Sequence, residues 1–122
     1  VSRNALVVDG DQVSRLMLRH MLTGLGYRTS EAYDVASAIA SLARNAPTVV
    51  ISDLLLPDGT GMDVQDALQT MPDPPALVLI TDVSEWDDLI DHRFRDVPPY
   101  LTKPVSTAEL ENSLQLTIRG EP

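Results

Sequence analysis

The chain has 122 residues, 43% of them apolar, and a formal net charge of −9. That length suits one domain with a core of its own, and the acidic balance argues against direct binding to nucleic acid or anionic membrane and for protein partners or bound cations. With no cysteine, disulfides and thiolate metal sites are excluded, and no apolar run approaches the ~20 residues that span a bilayer.

Ala5-Leu6-Val7-Val8 predicts a first strand that delivers Asp9-Gly10-Asp11. A helix follows, N-capped by Asp11, with Val13, Leu16, Met17, Met21 and Leu25 as its inward stripe and Gly24 and Gly26 at its end. His20 reads as a residue at the edge of that core. Arg28 to Tyr33 is a more polar second strand, expected at a sheet edge. Asp34 caps a second helix with Val35, Ala38, Ile39 and Leu42 inward, stopped by Asn45-Ala46-Pro47. Thr48 to Ser52 is an apolar third strand without alternation, as expected when both faces are buried. It feeds Asp53 into the turn Pro57-Asp58-Gly59-Thr60-Gly61. Met62 to Met71 is a third helix, closed by Pro72-Asp73-Pro74-Pro75. Ala76 to Ile80 is a fourth strand ending at Thr81-Asp82. Ser84 opens a weakly patterned fourth helix with Trp86, Leu89, Ile90 and Phe94, and Pro98-Pro99 ends that region. Tyr100-Leu101-Thr102 is a fifth strand ending at Lys103-Pro104. Ser106 and Glu109 form a capping box for a last helix with Leu110, Leu114 and Ile118 inward, ended by Gly120.

Strands that alternate with helices call for a doubly wound α/β sandwich, (βα)5 and flavodoxin-like, with a five-stranded parallel sheet of order 2-1-3-4-5. The carboxyl ends of parallel strands open on one rim, where ligands bind in such sheets. That rim would gather Asp9, Asp11, Asp53, Thr81 and Lys103. Lys103 is the only lysine among nine basic residues, which hints that an ammonium is required there. Carboxylates with open positions suit Mg²⁺, and nothing suggests a softer metal. A carboxylate can attack phosphorus, and the phosphoryl oxygens then need fixed cations. Each residue also has an ordinary use: Asp11 as a cap, Asp53 in a turn, Thr81 at a strand end, Lys103 on a surface.

Leu6-Val7-Val8-Asp9, Asp53 followed by Leu56-Pro57-Asp58-Gly59-Thr60-Gly61, Thr81, and Tyr100-Leu101-Thr102-Lys103-Pro104 stand in order along the chain. In these the sequence resembles a receiver domain of the two-component response regulator family, over essentially its whole length. The resemblance implies that Asp53 is the phosphoacceptor, served by a histidine kinase or phosphotransfer protein. It implies a Mg²⁺ site at Asp9, Asp53 and the backbone carbonyl of Leu55, a switch pair of Thr81 and Tyr100, and a phosphate contact from Lys103. It also implies a cis Lys103–Pro104 bond. Leu55 and Val83, each two places after a site residue, are expected to shield the acyl phosphate from water. A face built from the fourth helix, fifth strand and fifth helix would change shape on phosphorylation and meet an output domain or a second copy. Pro98-Pro99 stiffens the approach to it. A cytoplasmic location is expected, with one receiver domain over residues 1–122, free-standing or cut from a longer response regulator or hybrid kinase, and Gly120-Glu121-Pro122 as the start of a linker.

Two positions depart from the family pattern. Gly10 stands where a second acid is usual, which predicts weak Mg²⁺ binding, and Asp82 stands where a small residue is usual. Either Asp11 or Asp82 reaches in as the replacement ligand, or Asp82 crowds the site. These departures keep open a pseudo-receiver that docks without being phosphorylated. A second alternative is a phosphatase resembling the haloacid dehalogenases, since Asp9-Gly10-Asp11 fits that family's first motif with Asp9 as nucleophile and Asp11 as acid.

Overall fold

The computed structural model describes residues 3–82 and 99–119. Val83, the helix expected from Ser84 with Trp86, Leu89, Ile90 and Phe94, Pro98, and the Gly120 stop with its linker lie outside these residues. Strands β1 (Asn4–Val8), β2 (Arg28–Ala32), β3 (Val49–Asp53), β6 (Ala76–Thr81) and β7 (Tyr100–Thr102) form one sheet. Its order is β2-β1-β3-β6-β7, and every pairing is parallel. Counting only the strands of this sheet, that is the expected 2-1-3-4-5. A two-residue turn at Pro57-Asp58 joins a small antiparallel hairpin, β4 (Leu55–Leu56) and β5 (Gly59–Thr60). Proline presets the backbone of such a turn.

Alternation along the strands sorts the core into two layers. Leu6, Val8, Val50, Leu77 and Leu79 face helices α2 (Val35–Arg44) and α3 (Gly61–Gln69). Ala5, Val7, Val49, Ile51, Val78 and Ile80 face α1 (Gln12–Gly24) and the last helix, α4 (Thr107–Arg119). Val49, Val50 and Ile51 of β3 are buried on both sides of the sheet, which is why that run shows no alternation of polarity. The caps form as expected. Asp11 accepts the Ser14 N–H at 3.2 Å, Asp34 and Ser37 form a capping box, and Ser106 and Glu109 exchange bonds of 3.1 and 3.2 Å. Gly26 takes φ of 93°, the left-handed conformation that turns the chain out of α1.

The inward face of α1 differs from the expectation. Leu18 and Leu22 are its buried residues, Met21 and Leu25 are half-buried, and Val13, Leu16 and Met17 are 64%, 66% and 55% exposed. The helix carries apolar residues around most of its circumference, so spacing alone admits more than one stripe. Its rotation is set by tethers at its start: the Asp11 cap and a bond from Arg15 Nη1 to the Asp9 carbonyl. His20 is exposed rather than at the core edge, sharing a face with Val13, Leu16 and Met17. Ile39 of α2 and Ile118 of α4 are likewise exposed, at 45% and 39%; the buried face of α2 runs through Ala38, Ser41 and Leu42. Leu110 and Leu114 are buried as expected.

Candidate functional site

Strand register assembles the site. Val8 pairs with Ser52, so the next residue of each strand puts Asp9 beside Asp53. Asp53 itself pairs with Ile80, and Thr81 pairs with Thr102. One more residue along, Lys103 donates its backbone N–H to the Thr81 carbonyl at 2.9 Å. Asp9, Asp53 and Lys103 continue the alternation of Val7, Ile51 and Leu101, so all three side chains belong to the α1–α4 side of the sheet.

Lys103 Nζ lies 3.2 Å from Asp53 Oδ2 and 3.5 Å from Asp9 Oδ2. The Asp9 side chain is fully buried, and that of Asp53 is 12% exposed. Burial pushes the Lys103 ammonium down, but attraction from Asp53 and then Asp9 outweighs it, so the group is held above its ordinary range. Asp9 Oδ1 accepts the Asp11 N–H at 2.8 Å, which fixes the carboxylate in the turn between β1 and α1. The Lys103–Pro104 peptide bond is cis. Thr81 is buried and its hydroxyl donates to the Asp82 carbonyl at 3.0 Å. Tyr100 is 43% exposed. Leu55 carries an outward side chain, and Asp82 is exposed on a 360 Å³ groove that Lys103, Met17, Met21 and Val105 also line.

Asp11 does not join the carboxylate pair. Its side chain caps α1, and the Ser14 N–H holds the carboxyl below the usual range. Among the described residues, no group of three or more acidic, histidine or cysteine side chains is placed to hold a metal. A Cβ at Gly10 would stand 3.1 Å from the Pro57 ring, tight but open to a small shift. Gly61 has no such room: a Cβ there would fall 2.6 Å from Leu79 and 2.8 Å from the Asp53 carbonyl. The chain therefore doubles back onto the end of β3 only because residue 61 lacks a side chain.

Two site-building residues are not evident from motif reading. Asp58 accepts the Val35 and Ala36 N–H groups at 2.7 and 3.0 Å, joining the hairpin turn to the start of α2. Arg15 reaches back to the Asp9 carbonyl at 2.7 Å. A sequence signal for Arg15 does exist: a cation near a helix N-terminus opposes the helix dipole.

A doubly wound parallel sheet with acids and a lysine at its carboxyl rim defines a flavodoxin-like α/β fold. The chain belongs to the response regulator receiver domain family, whose model matches residues 5–115. It is 34% identical over 116 residues to the KDP operon transcriptional regulatory protein KdpE of Escherichia coli, covering 95% of this chain and 51% of that protein. It is 33% identical over 114 residues to the probable transcriptional regulatory protein TcrX of Mycobacterium tuberculosis, covering 93% of this chain and 49% of that one. The chain thus spans about half the length of these curated relatives. The receiver domain of the sensor histidine kinase PA1611 from Pseudomonas aeruginosa, with a magnesium ion coordinated in its active site cleft, superposes with a TM-score of 0.82 at 23% identity, over 98% of this chain and 99% of that one. A signal receiver domain of a histidine kinase from Syntrophus aciditrophicus gives 0.85 at 24% identity, over 98% and 92%. At these identities the two structures speak for the fold.

Proposed function

We propose that this receiver domain is a phosphoacceptor switch in a two-component relay. The observation that carries the reading is Lys103 Nζ within 3.5 Å of both Asp9 and Asp53 at the sheet's carboxyl rim. An Asp53 carboxylate oxygen attacks the phosphorus of a phosphohistidine on a histidine kinase or phosphotransfer protein. The P–N bond breaks, the imidazole leaves, and Asp53 becomes an acyl phosphate. Lys103 neutralises charge on the phosphoryl oxygens, and Thr81 turns its hydroxyl from the Asp82 carbonyl towards them. The vacated space draws Tyr100 inward, and the surface around β7 and α4 changes for an output domain or a second copy. The domain acts as a regulator rather than a turnover enzyme, and its place is the cytoplasm.

The donor set fits Mg²⁺. Two carboxylates, one buried and one nearly so, face a single ammonium, which leaves negative charge for a hard divalent cation to balance. Asp9, Asp53 and the Leu55 carbonyl would hold it. When bound it supplies charge neutralisation at the phosphoryl group. With Gly10 in place of an acid, the hold is weak.

The test is intact-mass analysis after incubation with a small acyl-phosphate donor and Mg²⁺, then with a cognate kinase. One phosphate adduct is expected on the parent and none on Asp53→Asn. No adduct with either donor would leave the pseudo-receiver reading, to which Gly10 and Asp82 point. An adduct that survives in Asp53→Asn but is lost in Asp9→Asn would point to the phosphatase-like chemistry.

A further inference from the structure

Arg15 stands at odds with its surroundings. It lies near the N-terminus of α1, where the dipole disfavours a cation. Its side chain is 14% exposed. Nε is buried without a hydrogen-bond partner and sits 3.5 Å from Glu31 Oε1, close enough for ion pairing only. A buried charge with incomplete compensation is costly. Local rules broken together on one side chain mark sites held for function. What Arg15 gains is one short bond, from Nη1 to the Asp9 carbonyl at 2.7 Å.

That carbonyl belongs to the turn that aims the buried Asp9 carboxylate, and the turn continues through Gly10, the residue with most backbone freedom. Glu31 on β2 steadies the arginine from outside. Glu31 is itself paired with Arg19, which also donates to Thr29 at 3.1 Å. We propose that Arg15, anchored through Glu31 to the edge strand, is the positioning residue that fixes Asp9 for cation binding in a pocket whose adjoining turn residue is glycine. This rests on the phosphoacceptor reading of the pocket.

Outer groups that orient metal ligands are typically worth about 10–100-fold in metal affinity. Mg²⁺ is titrated by calorimetry into the parent and Arg15→Ala, and Asp53 labelling by an acyl-phosphate donor is followed across Mg²⁺ concentration. Arg15→Ala is expected to raise the Mg²⁺ midpoint about tenfold or more in both assays, while the labelling rate at saturating Mg²⁺ matches the parent. An unchanged midpoint overturns the proposal. So does a lower plateau at the parent's midpoint, the mark of a general loosening. Should Arg15→Ala not fold, Glu31→Gln removes the outer anchor alone and is expected to shift the midpoint the same way by a smaller factor. A parent that neither binds Mg²⁺ nor takes up phosphate defeats the phosphoacceptor reading instead. Exchange of the Asp11 amide, which donates to Asp9, then decides without metal: faster exchange in the variant supports the positioning role, and equal exchange overturns it.

Discussion

At the scale of single residues, the pocket is set by what stands at positions 9, 10, 53 and 103. Asp9 and Asp53 share one ammonium, and Asp11, which a sequence reader could enlist as a third acid, is engaged as a helix cap. An added Cβ at position 10 meets the Pro57 ring at 3.1 Å and only the Tyr33 carbonyl besides, so a carboxylate there requires that ring to shift by a few tenths of an ångström. Gly10→Asp is therefore expected to tighten Mg²⁺ binding several-fold in a calorimetric titration; unchanged affinity would show that the glycine does not limit the site. The residues of this pocket were legible in the sequence because each ends a strand, and parallel strands share a rim. Arg15 shows in the sequence only as a cation set against the helix dipole, because its partner is a backbone carbonyl, which carries no residue-type signal.

At the scale of elements, strands were easier to read than helix faces. A strand has only two faces, so Ala5-Leu6-Val7-Val8 and Val49-Val50-Ile51 leave little choice. Helix α1, apolar at 13, 16, 17, 18, 21, 22 and 25, leaves a choice of rotation that the tethers at its start settle. Leu22→Ala is expected to cost about 2–5 kcal/mol, whereas Leu16→Ala should stay within about 0.5 kcal/mol; urea denaturation of both variants distinguishes the two faces. The hairpin turn offers a pH test. Bonds from the Val35 and then the Ala36 N–H hold the Asp58 carboxyl below its ordinary value of 3.8. A carboxyl depressed in the folded state stabilises fully above its unfolded pKa, and that contribution fades as pH falls below it towards the folded value. Asp58→Asn should thus have a lower Tm than the parent at pH 7, and the gap should narrow as pH falls below about 4. A gap independent of pH would show that charge on Asp58 is not what counts.

At the scale of the whole molecule, the described residues form a five-stranded sheet with a helical layer on each face and a small hairpin, and no helix among them is long and apolar enough to cross a membrane. The proposed switch makes a global prediction from one side chain. Tyr100 is 43% exposed at the start of β7. Phosphorylation should lower its accessibility, so nitration mapped by mass spectrometry should fall at Tyr100 in the parent and stay constant in Asp53→Asn. Equal nitration in both would remove the inward rotation from the mechanism.

The clasp between Asp58 and the opening amides of α2 ties the hairpin after β3 to a helix that packs against β2, the edge strand on the flank opposite β7. On the proposed phosphoacceptor reading, that tie would couple the pocket to a flank away from Tyr100.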